Sequence, residues 1–165
     1  QRLMQPESLM QEPLIRALEA VMPGAVAGAL KAHGELTLTV EPALIVDICH
    51  YLREVEGFER LSDLTAVDWH PREPRFEVVY HLHSVRRNLR LRLKCRLSGE
   101  TPEIDSVTSV WRGADWYERE VFDLFGIRFR NHPNLRRILL PEDWDGHPLR
   151  KDYPVYGPKY GYKDE

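Results

Sequence analysis

Between Phe76 and Leu97 the chain alternates apolar and polar residues twice over, with a short charged break in the middle. Phe76, Val78, Tyr80 and Leu82 interleave with Glu77, Val79, His81 and His83, and Leu89, Leu91, Leu93, Cys95 and Leu97 interleave with Arg90, Arg92, Lys94 and Arg96. Successive side chains of a strand point to opposite faces, so a period of two predicts two strands. The break at Arg86-Arg87-Asn88 predicts the turn that folds them into an antiparallel hairpin. The face opposite the leucines carries Arg86, Arg87, Arg90, Arg92, Lys94 and Arg96 with no acid between them. A solvated sheet face suits such a row, because long basic stems lie along the surface while their heads stay in water. Nucleic acid, anionic lipid or an acidic protein would suit it too, although a formal net charge of −3 argues against a general nucleic-acid binder.

The rest of the chain supplies cover for the apolar face. Leu14, Ala17, Leu18 and Val21 recur at helical spacing, with Pro13 in the first turn and Pro23-Gly24 as the stop. His33-Gly34 divides 26–40 into a strand pair joined by a tight turn. Pro42 opens a second helix that gathers Leu44, Ile48, Tyr51, Leu52 and Val55 on one face and stops at Gly57. A short strand is expected over Leu64 to Trp69, closed by Pro71. The class is therefore α+β: a mainly antiparallel sheet with helices packed on one face, followed by a helix and an irregular charged C-terminal segment. Residues 1–150 are expected to form a single domain, and 151–165 a Tyr/Gly/Pro-rich tail that either frays or lies as an arm on a neighbour. A chain of 165 residues buries enough surface to fold without staples.

Several function classes lack their signatures. Cys49 and Cys95 are the only cysteines, and neither belongs to a CxxC pair, so the usual four-cysteine cluster or zinc site is excluded; both are expected in the core. There is no GxGxxG, GxxxxGK[ST] or GxSxG. No run approaches the ~20 apolar residues of a membrane span. The N-terminus lacks a signal-peptide pattern and begins at Gln1 rather than Met, as a processed or trimmed chain would, which makes the cytoplasm the default address.

The C-terminal third concentrates the chemistry. Asp115 and Glu118 have capping-box spacing, which predicts a helix from about Trp116 to Phe125 with Gly126 as its stop. On that helix Tyr117, Val121, Leu124 and Phe125 share one side, while Trp116, Arg119, Glu120 and Asp123 share another. Arg119 and Asp123 are spaced to pair, and Glu118 sits close to apolar surface. Glu120, Asp123, His132 and His147 together contain the residue types of a metal or proton-transfer site. Both histidines precede proline, however, which favours extended backbone over a ligand pair on a helix. Between Tyr117 and Pro154 seven basic residues balance seven acidic ones. That balance suits a network of ion pairs, internal or across an interface, better than a site for an anionic substrate. Pro141-Glu142-Asp143 is expected to begin one helical turn that ends at Asp145-Gly146.

This region resembles the C subunit of proton-pumping NADH:quinone oxidoreductase, respiratory complex I, the 30 kDa subunit family. Glu118-Arg119-Glu120, Asp123-Leu-Phe-Gly-Ile127, His132, Arg136, Ile138, Leu139 and the Gly146–Pro154 stretch GHPLRKDYP carry the likeness, with LTAVDW at Leu64–Trp69 and RFEVVYHLHS at Arg75–Ser84 upstream. The resemblance implies a non-catalytic component of the peripheral arm. It would dock on the neighbouring D subunit, which helps form the quinone pocket, and lie near the iron–sulfur subunits. FMN, iron–sulfur clusters and quinone would be held by those partners and none by this chain, which would have no activity of its own. The likeness implies no nucleic-acid partner, and a place on the cytoplasmic face of the membrane reached only through the complex. An equivalent component of a related membrane-bound hydrogenase or F420-type dehydrogenase complex has similar features. Many members of the family continue past the match to KDYP, so this chain has a shorter arm or is a fragment. The candidate partner-binding residues are Trp116, Glu118, Arg119, Glu120, Asp123, His132, Arg136, Arg137, His147, Arg150, Lys151, Asp152 and Tyr153, a share of them being internal ion pairs that shape the loop.

Overall fold

The alternating hairpin forms the middle of a five-stranded sheet. The computed structural model describes residues 11–99 and 101–154. In chain order the elements are helix α1 (Pro13–Val21), strands β1 (Val26–Ala32) and β2 (Glu35–Val40), a 3₁₀ turn (Pro42–Leu44) running into α2 (Ile45–Glu54), then β3 (Arg60–Asp68), β4 (Phe76–Ser84), β5 (Leu89–Leu97), β6 (Glu103–Asp105), α3 (Ala114–Phe125) and β7 (Arg128–Arg130). The large sheet has the order β1-β2-β5-β4-β3, and β6 and β7 form a separate two-stranded parallel ladder. Strand pairs β1–β2, β3–β4 and β4–β5 are antiparallel, whereas β2 lies parallel to β5. The expected α+β architecture is therefore present, as a mixed sheet with one parallel junction.

Register places the apolar set on one face. Phe76 faces Leu97, Val78 faces Cys95, Tyr80 faces Leu93 and Leu82 faces Leu91, and Leu36 and Leu38 of β2 continue the row. Ile15 and Leu18 of α1, Ile48, Cys49 and Leu52 of α2, and Val121 and Phe125 of α3 join the same buried cluster. Each such side chain contributes about 1.5–3 kcal/mol on burial. Both cysteines are buried and unpaired.

The turns follow from residue type. His33 and Gly34 both have positive φ (51° and 77°), the pairing that a two-residue hairpin of matching twist requires. α2 ends where the Phe58 N–H reaches back to the Leu52 carbonyl around left-handed Gly57. The strand expected at Leu64–Trp69 is longer, beginning at Arg60, with an irregularity between Leu61 and Asp63. Beneath the basic row lies an acid after all: buried Glu77 sits 3.7 Å from Lys94 Nζ and 3.8 Å from Arg96 Nη1. It is supplied by the neighbouring strand, which is why the row looked unopposed along the chain. Residues 155–165 of the expected tail lie outside the described residues.

Candidate functional site

The last turn of any α-helix leaves four carbonyls without partners inside the helix. In α3 the first of these, Phe122 C=O, accepts the N–H of left-handed Gly126 (2.8 Å). The next three are capped by the GHPLR stretch that follows some twenty residues later. His147 Nδ1 donates to Asp123 C=O (2.8 Å), Leu149 N–H to Leu124 C=O (3.0 Å) and Arg150 Nε to Phe125 C=O (2.6 Å). Gly126 makes this contact feasible: a Cβ there would lie 2.6 Å from the His147 ring and 2.7 Å from the Arg150 guanidinium. Burial lowers the His147 pKa, against the raising effect of its bond to Asp123 C=O.

The Asp123 side chain organises the preceding loop. Its carboxylate has no exposed surface and accepts four hydrogen bonds: from Arg137 Nη1 (2.9 Å) and from the backbone N–H groups of Ile138 (3.2 Å), Leu139 (2.8 Å) and Leu140 (3.0 Å). Arg137 Nη2 donates onward to Gly146 C=O (2.7 Å). One carboxylate thus satisfies three amides of an irregular segment that has no ladder to do so. The expected Arg119–Asp123 pair gives way to this arrangement, and Arg119 Nε instead donates to Arg136 C=O (3.3 Å). A helical wheel puts Asp123 on the outer stripe with Trp116; the loop at 137–140 folds over the Asp123 end of that stripe and buries this carboxylate, while Trp116 stays exposed.

A second carboxylate, Glu118, is also fully buried. It accepts Ser106 O–H (2.6 Å) and Val107 N–H (2.8 Å), so it ties α3 to the strand β6 side of the molecule and does not form a capping box with Asp115. The helix begins one residue before Asp115, at Ala114 with Gly113 as its cap residue, and carbonyls of the 107–112 turn already receive the amides of Ala114 and Asp115. Burial pushes the Glu118 carboxyl up to about 7, against the lowering effect of its two hydrogen bonds.

The far end of the segment is clamped to the sheet. Asp68, at the end of β3 on the core side, holds Arg75 by two bonds of 2.8 Å and accepts Lys151 N–H (2.8 Å), while Arg75 Nη2 reaches Asp152 (2.8 Å). Burial works to raise the Asp68 pKa, but Arg75 and the Lys151 and His70 amides outweigh it and hold the group well below the usual carboxylate range. Arg75 and Arg150 both lie over the Phe76 ring, at 4.8 and 5.2 Å. Tyr153 receives Trp144 Nε1–H (3.1 Å) and packs against Gly146, where a Cβ would come within 2.8 Å of its ring. In place of the helical turn expected at Pro141 the chain makes a single turn, closed by Trp144 N–H to Pro141 C=O (3.0 Å).

His132 accepts Asn134 N–H at Nδ1 (2.9 Å), which leaves the proton on Nε2 to donate to the Asp115 backbone carbonyl (3.2 Å). Glu120 accepts Trp116 Nε1–H (3.0 Å). The four residues weighed as a metal or proton-transfer site are therefore engaged separately: Glu120 with Trp116, Asp123 with Arg137, His132 with Asp115, and the His147 ring with a backbone carbonyl. Among the described residues no three His, Cys, Asp or Glu side chains group as a metal site would need. Trp116 (54% exposed), Leu139 and Leu149 (51% each) remain outward, as do Arg136, Lys151, Glu142, Asp143, Asp145 and Asp152. Arg75, Asp68 and Ser106 are the working residues that spacing alone did not single out. The usable hints were an aspartate ending a strand on its apolar phase and an arginine immediately before the next.

A family model described as the respiratory-chain NADH dehydrogenase 30 kDa subunit matches residues 38–159. The chain belongs to that family. It is 49% identical over 144 residues to the second NADH-quinone oxidoreductase C subunit of Rhizobium meliloti, a match covering 86% of this chain and 76% of that one. To the C subunit of the Geobacter sulfurreducens NADH-quinone oxidoreductase it is 52% identical over 126 residues, 76% of this chain and 78% of the relative. Among solved structures it is similar to a trypsin-resistant fragment of Nqo5, with a TM-score of 0.62, 32% identity and coverage of 74% and 98% of the two chains. It is also similar to a chain of the membrane-bound sulfane sulfur reductase, an archaeal respiratory membrane complex, with a TM-score of 0.74, 26% identity and coverage of 86% and 84%. The residues that build the loop, from Glu118 to Tyr153, all fall within the matched range. No described helix is long and apolar enough to cross a membrane.

Proposed function

We propose that this chain is a non-catalytic part of the peripheral arm of a proton-translocating NADH:quinone oxidoreductase, where it helps assemble the quinone-reducing module by docking on the D subunit. Its loop segment serves as the docking element, with the neighbouring iron–sulfur subunits as further contacts. FMN, clusters and quinone belong to those partners, and the chain reaches the cytoplasmic face of the membrane through the complex. One observation carries this reading: Glu118, Asp123, His132, His147 and Arg150 each hold backbone of this same chain in place, which leaves Trp116, Leu139 and Leu149 exposed on a segment so fixed. Well-ordered apolar and aromatic side chains edged by arginine and lysine have the make-up of an interface core and its rim. The sulfane sulfur reductase neighbour extends the same fold to a complex of another activity, but at 26% identity against 49–52% for the NADH-quinone relatives the latter are favoured.

The double variant Leu139→Asp/Leu149→Asp tests it. Both side chains are half exposed, so the isolated chain should keep its circular dichroism and lose under about 1 kcal/mol of stability. Recovery of the D subunit with the tagged chain should fall sharply. Wild-type recovery would remove the docking reading. A Glu120→Gln complex that assembles normally yet fails to reduce quinone would replace it with a chemical role.

A further inference from the structure

A second feature lies just before the N-terminus of α3. Arg53 from the end of α2, Arg60 from the start of β3 and Arg112 from the turn before α3 line one cleft of about 530 Å³, together with Thr108 and Ser109. Arg53 donates to the Val110 carbonyl. The guanidiniums of Arg60 and Arg112 have no hydrogen-bond or ion-pair partner among the described residues. The cleft's one acid, Glu59, turns its carboxylate to the Val85 N–H (2.5 Å). The Trp111 ring forms part of the wall, held by its Nε1–H on the Phe58 carbonyl (3.3 Å).

We propose that this cleft receives an acidic segment of another chain of the complex, whose Asp or Glu carboxylates are gripped by Arg60 and Arg112. This rests on the proposed membership in an assembled complex but not on docking by the loop. A guanidinium presents a planar fork matched to a carboxylate, and two unpaired forks over an aromatic wall suit a carboxylate-bearing side chain that enters a recess. A lipid surface is broad and would meet a spread of basic side chains, not an indented site. The net charge of the chain is −3, so the three arginines mark a local preference and not a generally basic molecule.

The test replaces Ser109, on the cleft wall, with a photo-reactive residue in the purified complex and maps the cross-links by mass spectrometry. Cross-links should fall in another chain within a few residues of an Asp or Glu. Arg60→Glu/Arg112→Glu should lower their yield at least tenfold, and the milder Arg60→Gln/Arg112→Gln, checked by circular dichroism, should do so without loss of fold. A charge swap of the partner's acid to Lys in the Arg→Glu background should restore it. Cross-links confined to lipid, to this chain, or to a segment without carboxylates overturn the proposal. If the chain is recovered in the complex while these cross-links fail, the cleft proposal alone falls; if no complex is recovered, both readings fall.

Discussion

The sheet and the loop segment of 131–154 reach order by opposite routes. In the sheet, backbone pairs with backbone and nearly all of the buried side chains are apolar. In the loop segment regular ladders are missing, and side chains do the pairing: Asp123 holds three amides, His147 and Arg150 hold two carbonyls, and Asp68 anchors Lys151. Apolar burial is tolerant of modest change, since neighbours relax around a lost methyl. A buried charge with fixed partners is not, because removing one member leaves the other desolvated and alone. The sheet should therefore degrade gradually under substitution, and the loop should fail at single positions.

The largest effect is expected at Asp123. Asp123→Ala takes the carboxylate from the Arg137 guanidinium and from three amides, at a cost of about 3–5 kcal/mol. Hydrogen exchange should show the amides of 137–150 losing protection while those of β4 and β5 keep theirs. Equal loss in both regions would mean that loop and sheet form one cooperative unit and the contrast is false. Gly126→Ala comes next. It forces a left-handed backbone on a residue with a Cβ and drives that Cβ into His147 and Arg150, so a loss of more than about 1 kcal/mol is expected, again confined to the segment.

The third effect depends on pH and is read as a difference between two pH values. The Glu118 pKa is raised in the folded chain to about 7 from its ordinary value of 4.5. Its contribution is therefore most favourable below pH 4.5 and is lost as pH rises through 7. Glu118→Gln keeps a neutral side chain at all pH values. Its stability should decline less than wild type between pH 5 and pH 8, by up to about 3 kcal/mol, in denaturant titrations at the two pH values. Parallel curves would show that Glu118 is charged in the fold.

The sheet was legible in the sequence because its information is periodic. Leu91, Leu93 and Cys95 declare their face by alternation alone, and His33-Gly34 declares its turn by conformational preference. The parallel β2–β5 junction was not legible, since Leu36 and Leu91 carry no local mark of being neighbours. The loop was legible only as a set of residues. Charge balance and the two His-Pro steps pointed to a shaped, paired segment, but not to who pairs with whom. Arg119 sits at the right spacing for Asp123, yet Arg137 takes it, because the loop's fold brings a guanidinium and three amides to the same carboxylate. Glu118 shows the same limit: its spacing from Asp115 fits a cap, and burial against Ser106 and Val107 prevailed.

The parallel junction also orders events during synthesis. Strand β2 joins the main sheet only through β5, with Leu36 opposite Leu91, so the N-terminal hairpin leaves the ribosome well before its partner exists. A lone hairpin is marginal in water, and translation at ~5–20 residues per second leaves its leucines exposed for seconds. The nascent chain is thus a natural client for chaperones until β5 emerges.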